Sequence, residues 1–111
     1  MDLRIDVTTS GEWSVVQVGG EVDVATAPRL RERLVDLVNH GRHRLVLDLG
    51  AVGFIDSTGL GVLIGVLKRI RTVDGSLRLV LVEPHVRKVF EITGLDGVFA
   101  IHPTLDDAVG P

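Results

Sequence analysis

Residues 45–71, LVLDLGAVGFIDSTGLGVLIGVLKRIR, change their hydrophobic period once, and that change limits the folds open to this chain. Positions 45–49 are apolar except for Asp48, the pattern of an interior strand covered on both faces. Glycines at 50 and 53 then predict a tight turn, followed by a second short apolar step, Phe54-Ile55. Beyond it, Leu60, Leu63, Ile64 and Leu67 recur at i, i+3, i+4 and i+7, which is one face of a helix. Ser57 is therefore expected at or next to the N-cap, where a hydroxyl accepts from a free backbone N–H. Asp56 beside it is a second capping candidate. A strand, a turn and a helix N-terminus in succession are the parts of an α/β fold. The corner between them is the first candidate site, because a helix N-terminus favours negative charge, phosphate included.

The flanks extend the pattern. Leu3, Ile5 and Val7 alternate with polar residues, as in a half-buried strand. Thr9-Ser10-Gly11-Glu12 supplies a turn, and residues 13–18 read as a second strand, antiparallel to the first. Gly19-Gly20 closes it, and residues 21–24 either extend the strand or form a loop. Thr26 is placed to cap a helix whose first turn tolerates Pro28, with Leu30, Leu34, Leu37 and Val38 on its apolar face and Asn39-His40-Gly41 at its end. The central helix is expected to run to about Thr72. After an Asp74-Gly75 turn come a buried strand over 77–82 and a helix from Pro84 with Val86, Val89 and Phe90 inward. A short strand over 98–101 and a final acidic turn over 105–109, capped by Thr104, complete the chain. The order β-β-α-β-α-β-α-β-α predicts one α/β domain over residues 1–111, a mixed, mostly parallel sheet with packed helices.

Composition excludes several functions. The net charge of −3 gives nucleic-acid binding no electrostatic support. The absence of cysteine excludes disulfides and thiolate chemistry and suits a reducing compartment. Residues 60–67, the longest apolar stretch, include two glycines and stop at Lys68, far short of the roughly 20 residues needed to span a bilayer. The N-terminus lacks the basic-then-apolar pattern of a signal peptide. A soluble cytoplasmic protein without membrane association is the expectation.

Catalytic readings fare poorly. Gly59-x-Gly61-x-x-x-Gly65 has one residue too many for a dinucleotide fingerprint and lies inside the helix rather than before it. Close packing of a neighbouring element explains such glycines more simply. Ile55-x-Ser57-x-Gly59 lacks the first glycine of a nucleophile elbow. His40, His43, His85 and His102 are scattered and show no metal-ligand spacing. No catalytic residue, cofactor or metal site is expected. Three carboxylates remain, each with two readings. Asp23 is an Asx-turn residue, Asp48 an exposed strand-end residue and Asp56 a helix cap. Alternatively, they form an acidic lip around an exposed serine, read by a basic or polar protein partner. Phosphate added there changes the charge by about −1.5 to −2.

The stretch Phe54-Ile55-Asp56-Ser57-Thr58-Gly59-Leu60-Gly61-Val62-Leu63 resembles the signature of bacterial anti-sigma factor antagonists, the STAS-domain family. Gly20-Glu21-Val22-Asp23 is similar to that family's element before its first helix, residues 45–49 to its strand before the phosphorylation loop, and residues 86–95 to its third-helix segment. The four stand in the family's order and cover nearly the whole chain. The resemblance implies a protein that binds an anti-sigma factor, often a serine-protein kinase, and so frees a sigma factor for transcription. It implies phosphorylation of Ser57 by the kinase, which ends binding, and a phosphatase that reverses it. The partner-binding residues it implies are Asp23, Asp56, Ser57, Thr58 and Gly59, with Thr58 supplying a second hydroxyl. The other role it implies is a STAS module in a stress-signalling scaffold or a lipid-transport complex.

Overall fold

The computed structural model describes residues 2–110. Strand β1 (Leu3–Ser10) turns through Gly11, at φ +59°, into β2 (Trp13–Val22). The two pair antiparallel from Leu3↔Gly20 to Ser10↔Trp13. Helix α1 (Ala27–Asn39) crosses over to β3 (Arg44–Ile55), which lies parallel to β2. Helix α2 (Ser57–Thr72) leads to β4 (Ser76–Val80), and α3 (Pro84–Ile92), with a 3-10 turn at Leu95–Gly97, leads to β5 (Ala100–His102). A short helix, α4 (Leu105–Val109), ends the described chain. The sheet order is β1-β2-β3-β4-β5, parallel throughout except for the first pair. This is the expected single α/β arrangement, in the expected order.

The strand period sets the two faces of the sheet. Val16, Val18, Leu45, Leu47, Leu77 and Leu79 point one way and are buried with Leu30 and Leu34 of α1, Leu63, Val66 and Ile70 of α2, and Phe90 of α3. The opposite face buries a smaller set, Trp13, Val15, Val46 and Val80, beneath Ala108 of α4. Arg78 ties α4 down by donating to the Ala108 and Gly110 carbonyls at 2.7 and 3.1 Å. Its guanidinium carbon also lies 4.3 Å from the centre of the Trp13 ring, with that of Arg44 at 4.7 Å.

Three local expectations are corrected. Residues 50–53 are not a turn: β3 runs unbroken through both glycines to Ile55. Pairing continues through Gly19↔Ala51, Gly20↔Val52 and Glu21↔Phe54, with two register irregularities. Glycine there serves bulges, which glycine in a strand also signals. Strand β4 stops at Val80, where its pairing with β3 and with β5 ends together, at Asp48↔Val80 and Val80↔His102; beyond it only the Leu81 N–H still reaches the His102 carbonyl, at 3.2 Å. Val98 belongs to the turn before β5, where its N–H donates to Leu95 at 3.0 Å.

Candidate functional site

Strands β2 and β3 end together. Their last pair is Val22↔Ile55, and the next residue, Asp56, donates its N–H to the Val22 carbonyl at 3.1 Å. Asp23 and Asp56 thus leave the sheet side by side, at the carboxyl ends of neighbouring parallel strands, where loops of α/β sheets gather. The acid before α1 and the acid before α2, distant in sequence, belong to one corner.

Asp56 is the cap of α2. Its backbone is extended, at φ −106° and ψ −174°, and its Oδ1 accepts from the Gly59 N–H at 3.1 Å. Ser57 is therefore the first helical residue rather than the cap. A carboxylate fills the capping position as well as a hydroxyl and adds attraction to the positive helix end. With the cap supplied by its neighbour, Ser57 faces solvent, and so does Thr58. Gly59 is buried. A Cβ there would stand 2.6 Å from Val22 Cγ1 and 2.8 Å from Ile55 Cγ1, so glycine lets the first turn of α2 sit directly on the ends of β2 and β3. Gly61 and Gly65 have no such neighbour; the packing explanation holds for Gly59 alone.

Asp23 organises the other loop. Its Oδ1 accepts from the N–H groups of Ala25 and Thr26 at 2.9 and 3.0 Å. The Thr26 hydroxyl donates to the Glu21 carbonyl at 2.7 Å and accepts the Asp23 N–H at 3.0 Å. Thr26 precedes α1 but makes no capping bond with its side chain, because that hydroxyl is used up in the loop. The Thr26 N–H does most to hold the Asp23 carboxyl below its ordinary pKa of 3.8, with bonds from Ala25 and the Thr26 hydroxyl adding to it. Asp23 is thus an Asx-turn residue and a fixed negative charge at once. Asp48 takes no part in the corner. It lies mid-strand, half-buried, and its Oδ1 accepts the Gly50 N–H at 2.9 Å.

Two apolar side chains complete the surface. Val24 is 73% exposed and Phe54 47%. The strand period carried the signal for Phe54, since Phe54 and Ile55 are consecutive in β3 and only one can face the core. Ile55 is buried. The site thus gathers two carboxylates, two hydroxyls and two apolar groups around the ends of β2 and β3 and the first turn of α2. No group of three metal-ligating side chains occurs among the described residues, and none of their helices is long and apolar enough to cross a membrane.

Comparison with known proteins identifies the family. A family model described as the STAS domain matches residues 4–108. The anti-sigma-B factor antagonist of Staphylococcus epidermidis is 37% identical over 102 residues, covering 92% of this chain and 94% of that protein. The protein of the same name from Staphylococcus aureus (strain NCTC 8325) matches to the same extent. The crystal structure of an anti-sigma factor antagonist from Mycobacterium paratuberculosis superposes with a TM-score of 0.90 at 36% identity, covering 97% of this chain and 92% of that one. Unphosphorylated SpoIIAA, at 20% identity and a TM-score of 0.72, shares the fold. From its matched length, its sheet order and these relatives, the chain belongs to the STAS-domain family.

Proposed function

We propose that this protein is an anti-sigma factor antagonist: it binds an anti-sigma factor through the corner formed by Asp23, Asp56, Ser57, Thr58 and Gly59, and phosphorylation of Ser57 ends that binding. The observation that carries the reading is the position of Ser57. It is solvent-exposed at the first residue of a helix capped by Asp56, one strand away from the ordered Asp23 turn. The curated relatives that match nearly their full length bear the name of that activity. A kinase reaches such a hydroxyl without unfolding the domain. The exposed apolar groups Val24 and Phe54 give a partner area to bury beside the acidic groups. The role is binding and switching in the cytoplasm, with a serine-protein kinase adding the phosphate and a phosphatase removing it.

The test is affinity capture with wild-type and Ser57→Asp protein, with captured partners identified by mass. An anti-sigma factor held by the wild type and lost with Ser57→Asp is the expected result. Failure of the wild type to retain any anti-sigma factor from its own cell extract, or equal retention by both forms, overturns the reading.

A further inference from the structure

Strand β3 outruns its neighbour. Strand β4 pairs with it only from Arg44↔Ser76 to Asp48↔Val80, while pairing with β2 continues to Ile55. Residues 49–55 therefore have a strand on one side and none on the other. Among the described residues, no main-chain hydrogen bond joins 49–55 to the segment 81–92 that passes on that side. Natural edges are usually blunted by charge, proline or a covering element. Residues 49–55, LGAVGFI, contain no charge and no proline.

Helix α3 stands off this edge and leaves a cleft of about 390 Å³. One wall is residues 53–55; the other is His85, Val86, Lys88 and Val89. At Gly53 nothing lies within 4 Å of where a Cβ would be, so another backbone can approach closely. Phe54 is half exposed beside it. The ionisable side chains on the walls are Lys88 and His85, with no carboxylate among them. The nearby Glu83 carboxylate is turned back onto the His85 N–H at 3.2 Å.

We propose that this cleft takes an extended acidic segment of a protein partner, which adds as a strand to the free edge of β3. Main-chain bonds to the edge supply affinity, and alternate side chains supply selection. One set of alternate residues presents carboxylates to Lys88 and His85. The other lies on the side of the half-exposed Phe54, opposite the core-facing Ile55. Six residues, at about 3.3 Å each, cover all but one residue of the seven-residue edge, whose last three, 53–55, wall the cleft. The proposal stands on the unpaired edge and does not depend on the role of Ser57.

The test is a titration of the ¹⁵N-labelled full chain with the capped hexapeptide (Glu-Val)₃, followed by amide chemical shifts. Shifts are expected at residues 49–56 and 84–92, saturating with one affinity. A (Lys-Val)₃ peptide should bind at least about tenfold more weakly. Two further peptides, N-methylated at the valines or at the glutamates, keep every side chain but lose alternate donors; one of them should weaken by at least about tenfold. These comparisons use the wild-type chain and need no variant to fold. Gly53→Leu, which has room for its side chain but fills the cleft, should abolish the shifts with unchanged circular dichroism. Lys88→Glu should reverse the preference between the acidic and basic peptides. Shifts centred elsewhere, no saturable binding at millimolar peptide, or equal affinity of the parent and both methylated forms would each overturn the proposal.

Discussion

The Asp56 carboxylate closes the first turn of α2 by accepting the Gly59 N–H at 3.1 Å, and this leaves the adjacent Ser57 free of any capping duty. The side chain that caps the helix and the side chain proposed to carry the phosphate are thus neighbours, not one residue. We predict that Asp56→Ala costs about 0.5–2 kcal/mol of stability through the lost cap. Ser57→Ala, at an exposed first-turn position, should stay within about 0.5 kcal/mol of wild type. Urea denaturation of both variants checks the ordering. Equal losses would show that Ser57 shares the cap.

Asp23 combines a turn and a charge, and two substitutions separate them. Asparagine keeps an oxygen that accepts from Ala25 and Thr26, whereas alanine removes it. Asp23→Asn should therefore fold with nearly the wild-type melting temperature yet bind the partner more weakly. Asp23→Ala should lose stability as well. The pH dependence has a definite sign. The folded carboxyl titrates below its ordinary value of 3.8, so its stabilisation is present above that value and is lost as pH falls through the folded pKa. The stability difference between wild type and Asp23→Ala, measured by denaturant midpoints from pH 7 downward, should shrink in that acid range and stay constant above it. A difference that grows on acidification would contradict the assignment.

Gly59 is the tightest contact of the corner. Alanine there gains helix propensity, about 1 kcal/mol, but its methyl meets Val22 and Ile55 well inside normal contact. Both of those side chains are buried and cannot swing away freely. Overpacking costs typically about 1–3 kcal/mol, so the net effect should be destabilising. Gly61→Ala, with nothing near its Cβ position, should gain stability by about 0.5–1 kcal/mol. Opposite signs for two glycines one residue apart, read from thermal melts, are the expected outcome. A stabilised Gly59→Ala would mean that α2 can lift off the strand ends without cost.

How far the sequence discloses this corner depends on the range of the physics involved. The α2 face formed by Leu60, Leu63 and Leu67 is visible because helix period and burial are the same local signal, and all three are buried. The bulged second half of β3 is not visible. Gly50 and Gly53 read locally as a turn, and only pairing with β2, distant in sequence, makes them strand. The identity of the α2 cap is open for a similar reason, since Asp56 and Ser57 are both good caps and the backbone angles decide between them. Asp23 is legible as an Asx-turn residue. Its place beside Asp56 follows only from the Val22↔Ile55 pairing.

Phosphorylation of Ser57 should switch binding without unfolding the domain. Two effects compete in the folded protein. The N-terminus of α2 attracts the phosphate, by about 0.3–1 kcal/mol at an exposed position and up to ~2 in favourable geometry. The Asp56 carboxylate on the preceding residue repels it, and Asp23 adds to this from the neighbouring strand end; a unit pair about 4 Å apart in water costs ~1 kcal/mol, less with salt. These terms are of similar size, so the folded state changes little in stability. Bound to a partner, the same group has no such balance. A dianion must be desolvated in the interface or hold the two surfaces apart, and either outcome costs several kcal/mol. A loss of about 2.8 kcal/mol is already a hundredfold in affinity. The phosphorylated and unmodified proteins should therefore share one circular dichroism spectrum and melt within a few degrees of each other. Affinity for the anti-sigma partner, measured by calorimetry, should fall at least about a hundredfold. Because the repulsion is screened and the desolvation is not, raising the salt should recover little of that loss. Recovery of most of the affinity at high salt would instead assign the switch to long-range repulsion from the acidic groups of the corner.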